Sequence, residues 1–481
     1  MDSSSSLPHR SRLWLALLGL ALAAQPAFAL EAGPPVLESV GYLGEPANTL
    51  AQTPKLSPNG RYVAFVSRAS NLVPGYASGY PHVFLRDRQT GINYRASVGE
   101  MGQQYLYPVD SPVPSDDGRV VFNSNAPLVP ELSWSFPNSG RVLTYLRDTN
   151  VATTELISRR LDGAPAGEAY IRGGVNYQTS EVALQTYGDL IAGGSLFPSF
   201  QIYVRNWVTG DVELITAKPD GQPTAGAAVV GTISATGRYV VFDSSASDLT
   251  TDNPLGQEQL FLRDRLTQTT RRLTFPFGGG EFNEPFTLIR GIIFAADERS
   301  ILFTTNNRQL VANGDVLPLL SVFRIDLESG GVTVESVGSG GTIPNDQCSN
   351  GAASADGRFI AFTCRATNLT TPAYPNGVYV RDRLTDEIIN VSAPLGELQT
   401  FSTPNLSLSA DGKTLVFDWR HANTIPVIGG MTLVYSVAIR GNAAYVPPHP
   451  VPTRSLLALL ILTLLLIAMA TAHIRKSKKI A

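Results

Sequence analysis

A short turn followed by an apolar strand recurs along this chain of 481 residues, at intervals of roughly 55 to 64 residues. The complete copies begin with a small residue and, in all but one, reach Gly at the fourth position: 57–60, 115–118, 234–237, 295–298, 354–357 and 409–412. A degenerate copy lies at 179–181. A fixed period of this length, filled with strands, predicts a ring of repeated units. Such a ring is a scaffold whose sites lie in loops that differ between copies.

One copy contains every element of the unit. Residues 61–67 and 82–87 read as strands, 92–98 supplies another, and the stretch before the turn at 57–60 supplies one more. Four antiparallel strands in each of seven copies predict an all-β fold, a seven-bladed β-propeller. The Phe that recurs in the second strand is interpreted as packing between blades: Phe65, Phe122, Phe242, Phe303, Phe362 and Phe417.

The two ends of the repeat region predict how the ring closes. The last copy ends with the strand 432–438, and no fourth strand follows it. Residues 35–41 are similar to 332–338, which read as an outer strand. We therefore expect residues 36–40 to complete the seventh blade of a domain that spans 30–445. Closure of the ring removes exposed sheet edges.

Arg followed by Asp recurs where third strands end, as in Arg86-Asp87 and Arg263-Asp264. An Asp at this position fits the first residue of a turn, where its carboxylate accepts backbone N–H groups. Because the Arg recurs in nearly every blade, we interpret it as structural and not as an anion site.

The two chain ends carry targeting features. Residues 1–29 combine basic residues, an apolar core of about a dozen residues and small residues before the cleavage point, which predicts a secretory signal peptide. The Pro-rich segment 446–454 predicts a stiff stalk. Residues 455–472 are apolar and uncharged and reach a bilayer span, and the basic tail 473–481 predicts a cytoplasmic end. We expect the ring on the periplasmic or cell-surface side of an inner membrane.

The turn-and-strand pattern resembles the WD40-like repeats of TolB-type propellers, best at residues 57–65 and 354–362. This resemblance spans about residues 36–440 and implies a propeller fold and an envelope location. The order Pro-Thr, apolar helix, basic tail resembles the sorting tails read by exosortase-type enzymes, with Val451-Pro-Thr453 similar to the Ile-Pro-Thr-Leu variety. Arg454-Ser455 follows here, and the usual Trp is missing. Removal of the tail and a retained anchor both stay open.

The chain has two cysteines, Cys348 and Cys364, placed symmetrically about the turn 354–357. In a hairpin folded about that turn they lie opposite or nearly so, within disulfide range. An exported chain meets an oxidising compartment, so we expect a cross-strand disulfide.

The sequence contains little that predicts chemistry. Only His82 and His421 lie in the repeats, there is no Gly-x-Ser-x-Gly elbow, and no carboxylates can be paired from sequence. We assign no catalytic residue and no cofactor. Pieces of a calcium-binding run remain at Asp252, Asn253, Asn313 and Asp315, although an Asx turn with a buried Leu fits these loops better. With a net charge of −3 and no basic run in the repeats, nucleic acid is not expected as a partner.

Two main functions remain open, beside a third, that of a purely structural envelope protein. The first is an interaction scaffold, a monomeric ring that binds an envelope protein, peptide or glycan at one face. The second is an envelope hydrolase or lyase whose residues converge in the central channel. Carboxylates grouped with Arg or Tyr at the channel mouth favour the second, and a mixed rim without such a group favours the first.

Overall fold

The computed structural model describes residues 29–441, except 77–78, 100–108, 133–140, 173, 192–195, 284–288, 296–297, 397–402 and 422–430. The predicted stalk, apolar helix and basic tail, and residues 1–28 of the predicted signal peptide, lie outside this part of the chain. In the described part, no helix combines the length and the apolar character that crossing a membrane needs.

The described residues form seven antiparallel sheets, which are the blades of a β-propeller, as predicted. Two short strands precede the first blade, Glu31–Ala32 (β1) and Val36–Leu37 (β2). The first strands of the blades are Ala51–Leu56 (β3), Val109–Pro114 (β7), Val175–Asn176 (β11), Ala228–Ile233 (β15), Ile289–Phe294 (β19), Cys348–Ala353 (β23) and Leu406–Leu408 (β27). The second strands are Tyr62–Ser67 (β4), Arg119–Ser124 (β8), Glu181–Gly188 (β12), Tyr239–Ser244 (β16), Ser300–Thr305 (β20), Phe359–Cys364 (β24) and Thr414–Arg420 (β28).

The third strands are His82–Asp87 (β5), Leu143–Asp148 (β9), Leu196–Asn206 (β13), Gln259–Asp264 (β17), Ser321–Asp326 (β21), Gly377–Asp382 (β25) and Thr432–Arg440 (β29). The fourth strands of blades 1 to 6 are Ile92–Arg95 (β6), Thr153–Leu156 (β10), Val212–Leu214 (β14), Thr269–Arg272 (β18), Val332–Val334 (β22) and Glu387–Asn390 (β26). Short 3-10 turns lie at Arg308–Leu310, Gly314–Val316, Ser339–Gly341 and Ala393–Leu395.

The first strands of most neighbouring blades contact one another, so they surround the central axis. The contact between β27 and β3 joins the last blade to the first and closes the ring. Most first strands carry a β-bulge at the same place, between residues 52 and 55 in β3 and between 349 and 352 in β23. Thr53 and Asn350 lie in these bulges with φ of 53° in both cases. The bulge turns the inner strand around the axis at the cost of a backbone conformation that favours Gly.

The repeated turn owes its sequence to hydrogen bonds within it. In blade 1, the Ser57 hydroxyl accepts the N–H of Tyr62 at 3.0 Å and donates to Asn59 at 2.8 Å. Gly60 completes the turn with φ of 76°, a conformation that Gly adopts without strain. The same hydroxyl bond recurs in four more blades at Ser115, Ser234, Ser354 and Ser409.

The core of most blades is an aromatic pair between the second and third strands. Ring centroids lie 5.7–6.0 Å apart in the buried pairs Phe65–Phe84, Phe122–Tyr145, Phe242–Phe261, Phe303–Phe323 and Phe362–Tyr379. Burial of such rings in successive blades is the main source of stability, at roughly 25 cal/mol per Å² of apolar surface.

A hydroxyl beside each fourth strand fixes the third strand. In every blade this hydroxyl accepts a backbone N–H of the third strand, near the start of the strand except in blade 3, where the donor is Ile202 of the longer β13. The accepting hydroxyls belong to Ser97, Ser158, Thr216, Thr274, Ser336, Ser392 and Ser39. In blade 7 this hydroxyl comes from the N-terminal segment, because Ser39 accepts the N–H of Val434 at 3.1 Å.

Two short N-terminal strands occupy the outer position of blade 7. Strand β1 pairs with β29 through Ala32 and Ile439, and β2 pairs with β29 through Leu37 and Tyr435. The next residue, Glu38, is buried and donates its N–H to Val434 at 2.8 Å. Chain segments about 400 residues apart in sequence thus share one sheet.

Candidate functional site

The two faces of the ring differ in the length of their connections. Because the strands alternate in direction, the turns between first and second strands and between third and fourth strands share one face, which we call the short-turn face. The connections between second and third strands, such as 68–81 in blade 1, share the opposite face with the links between blades, and we call it the long-loop face.

Structural ion pairs occupy the short-turn face. The Arg of the repeated turn reaches the Asp that ends the third strand, with distances of 2.7 Å for Arg61–Asp87 and 2.5 Å for Arg358–Asp382. These carboxylates also accept backbone N–H groups of the next turn, as Asp87 does from Gln89. In blade 4, the hydrogen bond from Arg238 lowers the pKa of Asp264 to about 2. The carboxylates of this face are therefore committed to the fold.

A hydrogen-bonded Ser–His pair in blade 1 resembles a nucleophile with its base. The Nδ1 atom of His82 lies 2.8 Å from the Ser97 hydroxyl, and both residues are buried. Burial, with a smaller contribution from Arg95, lowers the pKa of His82 to about 4. However, Ser97 holds the structural position that a Ser or Thr holds in every blade. The pair therefore belongs to the fold of the blade and is not a nucleophilic site.

Side chains of mixed charge lie along the inner strands. Gln52, Lys55, Asp110 and Arg290 retain solvent-accessible surface there. Although Lys55 keeps accessible surface, the protein around it lowers its pKa by desolvation. Because acidic and basic side chains come from different blades, these four residues give a mixed lining and no cluster of one charge.

An aromatic cluster distinguishes blade 3. Strand β13 has 11 residues, whereas the third strands of blades 1, 2, 4, 5 and 6 have 6 each. This extension brings Phe200 against Tyr187, with ring centroids 3.7 Å apart, and edge-on to Tyr170 at 5.8 Å. The guanidinium of Arg172, which is exposed, lies 5.8 Å from the Tyr170 ring. We call these four residues the blade 3 patch.

The blade 3 patch lies on the long-loop face. Tyr170 forms an isolated bridge with Gln185 in the last part of β12, and Tyr187 and Phe200 flank the connection from β12 to β13. Tyr187 is 36 % exposed. Exposed rings beside a guanidinium can stack on a sugar ring or an aromatic side chain and donate hydrogen bonds to its polar groups.

A carboxyl pair in blade 4 interacts electrostatically with the same patch. Asp243 is buried in β16 and is hydrogen-bonded to Glu258, which precedes β17. Burial, followed by the charge of Glu258, raises the pKa of Asp243 well above its usual value, while Arg172 has a smaller, opposite effect. Burial and a neighbouring carboxyl group both favour the neutral form of Asp243. Asp243 can therefore donate a hydrogen bond as a neutral acid over a wider pH range than an exposed Asp.

The sequence candidates for calcium lie in two different loops. Asn253 is fully buried, and its amide nitrogen donates to Ala246 at 2.9 Å and to Gln257 at 3.0 Å, both backbone oxygens. The Asp252 carbonyl accepts a hydrogen bond from the Arg272 guanidinium. Thus a permanently charged group already contacts this loop.

In the next blade, Asn313 precedes the turn Gly314–Val316, and the Asp315 carbonyl accepts from Arg308 at 3.2 Å. The structure does not bring the two loops' candidates into one cluster, and the described residues contain no group of three or more His, Cys, Asp or Glu side chains placed to hold a metal. The assignment of no metal, with an Asx turn as the better interpretation of these loops, stays a prediction.

In blade 6, Cys348 lies opposite Cys364 in the pairing of β23 with β24, and the two form a disulfide. The bond joins the innermost strand of the blade to its neighbour.

Sequence reasoning missed the blade 3 patch and the carboxyl pair. Blade 3 has only a degenerate copy of the turn, so its strands could not be aligned with those of the other blades to reveal the patch. One signal was available, because Asp243 directly follows the core Phe242 inside an apolar strand. An acidic residue at such a place is buried and needs a partner.

No family model matches the chain, and no curated protein matches it either. Among solved structures, it is similar to TolB from Acinetobacter baumannii, with 14 % identity, a TM-score of 0.38, and 68 % of this chain and 62 % of that chain covered. A structure from a study of two prolyl endopeptidases has 10 % identity, a TM-score of 0.47 and coverage of 82 % and 50 %. Hydrazine synthase from Kuenenia stuttgartiensis has 11 % identity, a TM-score of 0.40 and coverage of 83 % and 97 %. The chain thus spans only 62 % and 50 % of the first two proteins.

Proposed function

We propose that this protein is an exported propeller that binds a peptide, protein or glycan of the cell envelope on its long-loop face. The observation that carries the proposal is the blade 3 patch, where Tyr187 and Phe200 stack at 3.7 Å beside the exposed Arg172. Rigid aromatic rings with a nearby cation give large contact area at little entropic cost, which is typical of binding sites. The carboxyl pair adds a donor and an acceptor next to the patch.

Retention from an envelope extract tests the binding site. Immobilised protein is compared with the Tyr187→Ala and Phe200→Ala variants, and bound proteins and glycans are identified by mass spectrometry. Tyr42→Ala is the matched control, because Tyr42 is 50 % exposed but belongs to the N-terminal segment. We expect the two patch variants to lose a ligand that the wild type and the control retain. Equal retention by all four proteins contradicts the proposal.

The location is a separate part of the proposal. It is supported by the signal-like residues 1–29, the apolar segment 455–472 and the basic tail. The chain is tethered by residues 455–472 or released to the surface after sorting at Val451-Pro-Thr453. Cell fractionation with protease protection gives the compartment, and the mass of the mature C-terminus decides between tether and release. A cytoplasmic, full-length product contradicts both versions.

The carboxyl pair favours a second candidate, an envelope hydrolase with Asp243 and Glu258 as acid and base. A carboxyl group whose pKa is raised, beside a second carboxyl group, is an arrangement that can supply an acid and a base. A hydrolase predicts that Asp243→Asn and Glu258→Gln each abolish turnover of the retained ligand, whereas Asp252→Asn does not. If the wild type retains the ligand but does not turn it over, the hydrolase candidate is excluded and only the binding function remains.

A further inference from the structure

A cleft of about 340 Å³ lies between blades 1 and 2, away from the blade 3 patch. Its walls include Tyr76 and Tyr94 from blade 1, together with the guanidinium-bearing residues Arg95 and Arg147. Arg95 lies at the end of β6, and Arg147 lies in β9 of the next blade. The cleft therefore joins the outer strand of one blade to the third strand of its neighbour.

The two guanidinium groups are short of acceptors. The Nε and Nη1 atoms of Arg95 and the Nε atom of Arg147 are buried and have no hydrogen-bond partner among the described residues. Arg147, only 8 % exposed, donates through Nη1 to the Thr154 hydroxyl at 2.9 Å. Arg95 lies 4.9 Å from the Tyr76 ring. In the described part of the chain, neither Arg forms an ion pair with a carboxylate.

The corresponding positions of two other blade interfaces contain a carboxylate. Between blades 7 and 1, Glu38 pairs with Arg86 at 3.2 Å and with Arg88 at 2.7 Å. Between blades 5 and 6, Glu335 pairs with Arg381 and Arg383, each at 3.1 Å. Each Glu directly precedes the Ser whose hydroxyl accepts an N–H of the third strand in its blade, Ser39 after Glu38 and Ser336 after Glu335.

Between blades 1 and 2, the equivalent residue is Ala96. Its N–H donates to the Val83 carbonyl at 2.8 Å, as the N–H of Glu38 does to Val434 at 2.8 Å. Ser97 follows it as Ser39 follows Glu38, with the same bond to the third strand. Next along the chain, the Val98 carbonyl accepts from Thr154, as the Val40 carbonyl does from Asn93. The register is therefore the same, and the buried Ala96 provides no carboxylate at the position from which Glu38 and Glu335 contact arginines.

We propose that this cleft binds a carboxylate from outside the ring, which takes the place that Glu38 and Glu335 take at the other interfaces. Leaving buried guanidinium donors without acceptors is costly, and a charge-assisted bond to a carboxylate offsets that cost. The flanking Tyr76 and Tyr94 rings fit the apolar part of a small ligand. A carboxylate comes from an acidic peptide group or from a uronic acid, and the test separates these sources.

Calorimetric titration of the purified full chain tests the site with N-acetyl-L-glutamate and D-glucuronate. Their neutral counterparts are N-acetyl-L-glutamine and D-glucose, and inorganic phosphate tests a different anion. We expect at least one acid to bind about tenfold more tightly than its neutral counterpart and to weaken as NaCl rises, because the contact is an ion pair. Which acid binds identifies the source. No binding of either acid, or equally tight binding of phosphate, overturns the proposal.

Ala96→Glu and Arg95→Gln are the decisive variants. Ala96→Glu supplies the carboxylate from within, so it should abolish acid binding and raise the melting temperature. Arg95→Gln should weaken binding about tenfold, since it removes charge-assisted bonds. Arg160→Gln, in an exposed pair with Asp162, is the control that leaves binding unchanged. Acid binding that survives both Ala96→Glu and Arg95→Gln overturns the proposal.

Glu100 provides a further control because it follows Val98 by two residues and lies outside the described residues. Glu100→Gln should leave acid binding unchanged. If an acid binds only when Glu100 has been replaced, the chain's own carboxylate fills the cleft and the external ligand is ruled out.

Discussion

The carboxylate of Glu38 lies 2.7 Å from the Nε atom of Arg88, so a residue of the N-terminal segment is ion-paired to the first blade. Glu38 also accepts a hydrogen bond from Ser436 at 2.6 Å, which ties it to the seventh blade. Through one buried carboxylate, the N-terminal segment contacts both blades that meet where the ring closes. The stability of the whole propeller should therefore depend on this residue.

Replacing Glu38 by Gln should lower the free energy of unfolding by about 3 kcal/mol, because a buried pair that loses one partner leaves the other uncompensated. Urea unfolding, followed by tryptophan fluorescence to which the buried Trp419 in blade 7 contributes, measures the change. Asp162→Asn is the control, since its pair with Arg160 is exposed and should contribute little. Equal effects of the two substitutions would show that the Glu38 pair does not stabilise the closure.

His82 should make the protein less stable in mild acid. Its pKa is lowered to about 4 from 6.5 by burial, so between these values the unfolded chain binds a proton that the folded chain does not. The stability that neutral His82 contributes is fully present above pH 6.5. It is lost as pH falls towards 4, on the order of 3 kcal/mol in total. His82→Gln should remove this part of the pH dependence. If His82→Gln leaves the dependence of stability on pH unchanged between pH 4 and 6.5, His82 is not its source.

Asp243 should have the opposite pH dependence. Because burial and Glu258 raise its pKa, the folded chain keeps a proton that the unfolded chain has lost above pH 3.8. The stability contribution is fully present below pH 3.8 and is lost as pH rises through the folded pKa, by up to about 1.4 kcal/mol per pH unit. Asp243→Asn mimics the neutral acid, so its stability relative to wild type should grow with pH in this window. Parallel wild-type and variant profiles above pH 3.8 would contradict a raised pKa of Asp243.

The Cys348–Cys364 disulfide should stabilise blade 6. It spans 16 residues of sequence, and closing a loop of that length contributes about 3 kcal/mol in the chain-entropy description. The double variant Cys348→Ala/Cys364→Ala should lose up to about this amount in urea unfolding. Adding reductant to that variant should change nothing further, whereas the wild type should fall towards it. Denatured wild type that resists alkylation without reductant, and becomes alkylated after reduction, would support the bond. Two free thiols in the unreduced protein would refute it.

The blade architecture could be predicted from sequence because the signals are local. The turn at 57–60 and the core Phe65 lie within nine residues of each other, and both repeat in phase. The bulges at Thr53 and Asn350 could not be predicted, because a positive φ is uncommon outside Gly even for Asn and is disfavoured for a β-branched residue such as Thr53. The pairing of Glu38 with two arginines depends on residues about 50 positions away and on register across a blade interface.

The candidate site was less predictable than the fold. Its residues come from two blades, and Tyr170 and Tyr187 meet Phe200 only because β13 is longer than its counterparts. Similarly, the significance of Ala96 depends on knowing that Glu38 holds the same place in another blade, which requires the register of both hairpins. In this repeat protein, the candidate functional residues lie where one blade differs from the others.

Removal of residues 30–41 tests the closed ring most directly. Two proteins are compared in urea unfolding, one spanning 30–441 and one spanning 42–441, with tryptophan fluorescence and circular dichroism recorded together. Because the segment supplies β1, β2, Ser39 and Glu38, the shorter protein should unfold at a clearly lower urea concentration. Coincident unfolding curves for the two proteins would contradict a ring closed by its N-terminal segment.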